Sequence, residues 1–346
     1  MRLGKNGTKT VEFDEAKALN RHICILGKSG AGKSTAAQQL VLEMAKEGRT
    51  VLAIDIHQVL AEENIYAPLR KEFEKYSNVI DMYTEPMQLP LFTNVVYADG
   101  RKESAVNTVG AVVDVINRAY RLGEVQQAEL RKACQYCYDY GLYKELGMEG
   151  IAEALNEIGG KVAGRLLDKL HMLFAQQLFV DGEASIEKGK INIIRLTHLD
   201  LDTQSVIAEI ILSYLWRRAT SIAGNERLVI YLDEFQNFSI SKRSALSFML
   251  TEGRRFNIQL LLCSQSLGIS FSDAQQKRIL QSGLMLFFKP TDIERRGIAA
   301  MISNNRVSDY ALELASLRTG EAIAVGELLI DGKQTRIPLK VSFVKK

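Results

Sequence analysis

Apolar positions follow two rhythms along the chain. Short continuous runs, each closed by a turn residue, predict strands buried on both faces: RHICILG (21–27), VLAIDIHQ (51–58), GKINIIRL (189–196), the run Leu228–Leu232, IQLLLCS (258–264), MLFFK (285–289) and EAIAV (321–325). Between them, helical stripes appear. Leu40, Val41 and Met44 are spaced for a helix stopped by Gly48, and Val206, Ile210, Ile211, Tyr214 and Leu215 stripe another that would cover the sheet. TEPMQLPLFTN (84–94) holds two of the five prolines and reads as an irregular connection. Strand signals then stop. Val109, Val112, Val113 and Ile116 make one stripe, further helices are expected over 124–140 and 151–158, and Leu166, Leu170, Leu173 and Phe174 stripe a fourth. The pattern predicts an α/β core with a central, mostly parallel sheet, built from residues 1–98 and 186–346, and an all-α insertion over 99–185 whose stripes pack on one another as a unit. No internal repeat or low-complexity tract interrupts it.

Composition changes this picture little. A length of 346 residues allows two domains or one large domain with an insertion, and 47% hydrophobic with 25% charged residues is ordinary for a globular chain. The formal net charge of +3 excludes a polycation, so any nucleic-acid contact must come from a local patch. No apolar run approaches the roughly 18 residues that span a bilayer, and MRLGKNGTKTVEF has no apolar core of a signal peptide. Four cysteines make no disulfide framework, and a cytoplasmic location is the expectation.

The stretch GKSGAGKS (27–34) matches G-x-x-x-x-G-K-[ST] through Gly27, Gly32, Lys33 and Ser34. By residue frequencies this pattern arises by chance about once in a hundred chains of this length. It also lies between a strand and a helix, as a phosphate loop requires. Lys28, Ser29, Gly30 and Ala31, with Thr35 at the start of the helix, complete the cradle. Glycines let backbone N–H groups converge on phosphates, and the helix N-terminus adds partial positive charge. Lys33 would reach the β- and γ-phosphates of ATP, and the Ser34 hydroxyl would ligate Mg²⁺. The bland alternative is a glycine turn.

A phosphate loop needs an acid on a second strand. RLVIYLDEFQNF (227–238) places Asp233 and Glu234 at the C-terminal end of a buried run, where open α/β sheets bind ligands. Asp233 is expected to hold the Mg²⁺ and Glu234 to polarise the attacking water. In TEGRRFNIQLLLCSQS (251–266), Gln265 ends a buried strand and could sense the γ-phosphate, while Arg254 and Arg255 occupy the turn before it.

These three stretches together resemble the HerA/FtsK superfamily of P-loop motor ATPases, with the nearest likeness to HerA-like translocases and the ATPases of conjugative type IV secretion. LGKNGTKTVEFDEAKALNRHICILGKSGAGKS (3–34) also resembles the HerA-type entry into the loop, and the likeness covers roughly residues 1–60 and 186–330. The resemblance implies a RecA-like core and a homo-oligomeric, hexameric ring that moves DNA or, in some secretion ATPases, protein. It also implies that Arg254 reaches the neighbouring subunit's ATP; its turn is expected near the phosphate-bearing end of the sheet, too far along the edge to serve its own site. A nucleotide-gated assembly module remains a further alternative. The chain departs from the family where VLAIDIHQ lacks the Pro, Gly and Glu of a D-P-H-G-E turn, which leaves Asp55 a capping role and His57 either a site residue or an ordinary loop histidine. The HerA β-barrel is absent or reduced to a few residues, as are the transmembrane helices of coupling proteins. Either the motor is minimal, or its docking elements sit on another chain, a membrane or nuclease partner.

Four further groups have two readings each. Cys134 and Cys137 stand at C-x₂-C spacing without the remaining ligands zinc needs, so helix packing is expected. Tyr136, Tyr138, Tyr140 and Tyr143 could stack bases, but packing among insertion helices explains them too. Arg295 and Arg296 are a second trans-acting pair or a solvated helix face. Lys242 and Arg243 face a ring pore or flank a helix start capped by Ser241.

Overall fold

The computed structural model describes residues 1–97, 99–175, 178–182, 185–221, 227–268 and 270–343. Its strands are β1 (Arg2–Asn6), β2 (Lys9–Phe13), β3 (Ile23–Leu26), β4 (Thr50–Asp55), β5 (Ser77–Asp81), β6 (Met87–Gln88), β7 (Phe179–Val180), β8 (Ile191–Arg195), β9 (Leu228–Leu232), β10 (Ile258–Ser264), β11 (Leu284–Phe288), β12 (Glu321–Gly326), β13 (Leu328–Ile330), β14 (Lys333–Thr335) and β15 (Leu339–Ser342). Among the described residues, thirteen of them form one sheet in the order β14-β13-β2-β1-β15-β12-β11-β3-β10-β9-β4-β8-β5. The half from β11 to β5 is parallel throughout. The other half, reached through the antiparallel β11–β12 pair, is antiparallel.

The parallel half is where the apolar runs lie. Every residue of β3, β4, β10 and β11 is buried, because helices cover both faces. The pleat divides their side chains. Ile23, Ile25, Val51, Ala53, Leu261 and Cys263 meet Leu40, Val41 and Met44 of α1 (Lys33–Lys46), with Phe73 of α2 (Arg70–Tyr76) beside them. Cys24, Leu26, Leu52, Ile54, Leu260 and Leu262 face the remaining helices. Truncating a residue such as Leu261 to alanine would cost about 2–5 kcal/mol, the lost transfer energy plus a cavity.

The second face is built from α3 (Ala105–Tyr120), α4 (Glu124–Asp139), α5 (Tyr143–Leu146), α6 (Glu149–Ile158), α7 (Gly160–Lys169), α8 (His171–Ala175), α9 (Leu201–Ser221), α10 (Ala245–Glu252), α11 (Asp273–Ile279), α12 (Arg295–Ile302) and α13 (Val307–Ser316). α3 to α8 fall within the span expected to be inserted. They do not pack only on one another: α3 also packs on α9, and one apolar cluster runs from Val112 and Ile116 through Ile207 and Ile211 to Ile230 and Leu232 of the sheet. A buried ion pair between Glu103 and Arg217 adds a polar tie, and Arg217 donates to the Leu91 carbonyl at 3.0 Å. β6 and β7 pair in parallel as a two-residue ribbon, and β7 packs on α5. The fourth predicted helix is interrupted, since α7 ends at Lys169 and α8 starts at His171. No helix among the described residues is long and apolar enough to cross a membrane.

Candidate functional site

Parallel pairing puts the C-terminal ends of β3, β4, β9 and β10 on one edge of the sheet. The phosphate-loop stretch begins there. Gly27 leaves β3 so close to β11 that a Cβ would lie 2.6 Å from Phe288 Cβ, and Gly32 turns with φ 99 while passing 2.6 Å from the Gly320 nitrogen by the same measure. Only glycine fits either position. The loop is held from three sides: the Gly27 N–H donates to Ser264 O at 3.3 Å, Lys28 N–H to Lys289 O at 2.9 Å, and Gly320 N–H to Ala31 O at 2.9 Å. Lys28, Ser29 and Gly30 are exposed at its tip, and Ser34 and Thr35 are half-buried behind it. α1 starts at Lys33 with Gly32 as its N-cap, so no side chain caps the free N–H groups of its first turn. Lys33 is 6% exposed and its ammonium donates to Lys28 O at 3.2 Å.

Asp233 and Glu234 follow β9 on the same edge. Asp233 is 8% exposed, and its Oδ1 is buried without a hydrogen-bond partner. Burial, the neighbouring Glu234 charge and Asp55 together push its carboxyl up to about 7, against the pull of Lys33. Glu234 adopts the left-handed conformation (φ 44, ψ 52), and its two carboxylate oxygens are both bonded: Oε1 accepts from Gln265 Nε2 at 2.7 Å and Oε2 from Gln236 Nε2 at 2.6 Å. The glycine loop, Lys33, both acids and Gln265 therefore converge on one edge. Gln236 was not singled out in the sequence; its only signal is its place two residues past Glu234 in DEFQNF.

Asp55, at the end of β4, is a cap. Its Oδ1 accepts from the His57 and Val59 amides at 3.2 and 3.0 Å, and its Oδ2 from the Leu60 amide at 3.0 Å. His57 is brought onto the acidic loop, where its Nε2 lies 3.1 Å from Asn237 Nδ2.

Arg254 is not near the phosphate-bearing edge. It lies in the 3₁₀ turn Gly253–Phe256 that precedes β10, and a turn before a parallel strand sits at the strand's N-terminal edge. The seven residues of β10 separate it from Gln265, a span of about 20 Å at the usual rise per residue. Its guanidinium donates to the Leu19 carbonyl, just ahead of β3. Arg295 and Arg296 instead follow β11 on the phosphate edge, Arg295 pairing with Asp292 and Arg296 exposed. Lys242 and Arg243 are exposed ahead of α10, whose cap is Ser244 and not Ser241: the Ser244 hydroxyl accepts from Ser247 N–H at 3.3 Å, and Ser241 lies three residues too early to reach it.

Cys134 and Cys137 are buried in α4 among the insertion helices, and no group of three or more metal-binding side chains occurs among the described residues. The tyrosines pack locally: Tyr136 against Tyr140 with ring centroids 4.3 Å apart, Tyr138 against Tyr143 at 5.9 Å, and Tyr138 donating to Asn94 Oδ1 at 2.7 Å.

The same layout occurs in known proteins. The structure of VirB4 from Thermoanaerobacter pseudethanolicus superposes with a TM-score of 0.68 at 19% identity, covering 99% of this chain and 96% of that one. The plasmid coupling protein TrwB, in complex with ADP and Mg²⁺, superposes with a TM-score of 0.61 at 13% identity over 94% of this chain and 85% of that one. Both likenesses establish a P-loop ATPase fold. The DNA double-strand break repair helicase HerA of Sulfolobus acidocaldarius is 26% identical over 355 residues, 95% of this chain and 67% of that protein. HerA of Saccharolobus solfataricus is 22% identical over 95% of this chain and 66% of its own length. The chain thus spans about two thirds of the length of the curated relatives it matches. The family DUF87, described as Helicase HerA, central domain, matches residues 2–215. That match takes in more than half of the 346 residues, and the chain belongs to the HerA central-domain family.

Proposed function

We propose that the chain is a Mg²⁺-dependent ATPase whose active sites form between copies in a homo-oligomeric ring, and that hydrolysis drives translocation of DNA. The observation that carries the reading is the arrangement at the phosphate edge. A buried carboxylate oxygen of Asp233 without a partner lies on the same edge as an uncapped helix N-terminus, a glycine-only loop and a nearly buried Lys33. A buried carboxylate in that state is costly unless a cation or a proton satisfies it, so the donor set fits Mg²⁺ with a nucleotide triphosphate. Ser34 and Asp233 would hold the metal, and residues 27–35 the phosphates. When bound, Mg²⁺ neutralises charge that develops on the transferring phosphoryl group. Lys33 supplies a fixed positive charge for the β- and γ-phosphates, Glu234 orients and deprotonates the attacking water, and Gln265 reports the γ-phosphate to the adjoining β10. Arg254, on the opposite edge, would act on the site of the next subunit.

The DNA assignment follows the names of the HerA relatives, and a ring needs only a few basic residues per copy facing its channel. Glu234→Gln should retain ATP-analogue binding and lose turnover, while Lys33→Ala should lose binding. Duplex DNA should stimulate hydrolysis by the unmodified protein. Parental hydrolysis in Glu234→Gln would overturn the chemistry. Hydrolysis indifferent to DNA would overturn translocation of DNA and favour a protein substrate or an assembly switch.

A further inference from the structure

Glu234 is held by two amides that differ in kind. Gln265 is exposed just past the end of β10, and its amide donates to Glu234 Oε1. Gln236 is half-buried and tied at both ends of its amide. A carboxylate only accepts hydrogen bonds, so the group 2.6 Å from Glu234 Oε2 must be Gln236 Nε2, and the amide oxygen must face the other way. There it meets the Ser264 hydroxyl at 2.8 Å. That hydroxyl is equally close to the Ser266 carbonyl, so its one proton is shared between these two acceptors. Ser264 is fully buried, and its own carbonyl accepts from the N–H of Gly27, the first glycine of the loop. A continuous chain of bonds therefore runs from the phosphate loop through Ser264 and Gln236 to one oxygen of Glu234.

We propose that Gln236 is the positioning residue of the catalytic base, with Ser264 holding the far end of its amide. The proposal rests on the reading of Glu234 as the base. Gln265 is the releasable tether: when it turns to a γ-phosphate, Oε1 becomes free for water while Oε2 stays on Gln236. The water then gives its proton to Oε1 as its oxygen bonds to the γ-phosphorus and the bond to the departing ADP breaks. Without Gln236 the carboxylate would lose its remaining anchor at that moment. Glu234 is also a non-glycine residue in the left-handed region, a conformation that needs surrounding support.

Gln236→Leu removes the tether without adding charge, and misplacement of a catalytic group by about 1 Å costs on the order of 10²-fold in rate. The expected result is a fall in kcat of that order, with ATP-analogue affinity within about twofold and an unchanged melting temperature. Added to Glu234→Gln, it should cause no further loss, because both act through one group. Ser264→Ala, which leaves the amide oxygen unpartnered, should lower kcat by a smaller factor and reads the same chain of bonds if Gln236→Leu fails to fold. Parental kcat in folded Gln236→Leu, or a loss matched by equal loss of nucleotide affinity, would overturn the proposal. If instead Glu234→Gln hydrolyses at the parental rate, the base assignment itself fails, whichever way Gln236→Leu behaves.

Discussion

The two ends of the parallel sheet carry opposite chemistry. At the C-terminal end, Asp55, Asp233 and Glu234 gather with Lys33 the nearly buried cation among them. At the N-terminal end, Arg21, Arg49 and Arg227 gather around Glu15, with Arg254 close to Arg21. Burial and then the charges of Arg227, Arg49 and Arg254 hold the Arg21 guanidinium below its ordinary value, with only Glu15 opposing them. Each end is incomplete by the standards of phosphoryl transfer, one short of an arginine and the other short of a phosphate. A strand about 20 Å long separates them within the chain, so in the proposed ring they complete each other only head to tail, through a heterologous contact that closes on itself.

The largest effect that can break this comparison belongs to Arg254. An arginine supplied in trans is worth about 10³ to 10⁵ in rate in related phosphoryl transfers. Arg254→Ala should bind ATP with near-parental affinity and lose hydrolysis by that order. Mixed with Lys33→Ala, itself inactive, it should regain part of the activity, because some interfaces then pair an intact Lys33 with an intact Arg254. If mixed oligomers form and remain inactive, the two ends do not meet.

The two ends were not equally legible in the sequence. GKSGAGKS, Asp233, Glu234 and Gln265 could be placed because each closes a continuous apolar run, and a parallel sheet sends all such closures to one edge. The same rule places Arg254 at the opposite edge, since it precedes its run; the expected nearness to the phosphates overlooked strand direction, and only the role on a neighbour's ATP came from the resemblance. The three-residue strands β13 (LLI) and β14 (KQT) are too short, and β14 too polar, to read as strands from apolar runs. Gln236 was hidden because its role depends on Ser264, a residue 28 positions away that only pairing of β9 with β10 brings alongside. The helical stripes over 109–174 were legible as helices, but periodicity does not say what a stripe faces, and α3 faces α9 as well as α4.

Not every arginine at the N-terminal end faces outward, and Arg49 sharpens the contrast with Arg254. It is 8% exposed and donates to both Glu15 oxygens at 2.8 and 2.7 Å and to Gln259 at 2.9 Å. Burial pushes the Glu15 carboxyl up, but the bonds and charge of Arg49, with Gln259, bring it below its ordinary value. Arg49→Ala leaves the buried Glu15 carboxylate with only the Gln259 amide and the half-exposed Arg227 and should destabilise by up to about 3 kcal/mol. The native pair adds stability above the unfolded carboxyl's range and loses it as pH falls through the lowered native value. Denaturant titrations should therefore show a constant mutational cost near neutral pH that shrinks as pH falls below the unfolded carboxyl's value of about 4.5. A cost independent of pH would mean that lost packing, not the ion pair, explains it.

The last expected effect is confined to high pH and tests whether the acidic end is strained until it is filled. With its carboxyl raised to about 7, Asp233 favours folding in its protonated form. Its contribution is fully present below the unfolded value near 4 and is lost as pH rises through 7. Asp233→Asn removes the titration. In nucleotide- and Mg²⁺-free protein the variant should match the parent near pH 4, gain on it between pH 4 and 7, and be more stable by about 4 kcal/mol at pH 8. Saturating Mg²⁺ and ATP analogue should reverse the order at pH 8, because only the parent has a carboxylate to offer the metal, and ligand binding stabilises the state it selects. Equal stabilities at every pH in the unliganded proteins would mean that Asp233 is satisfied without a cation, and the contrast between an unfilled acidic end and a paired basic end would fail.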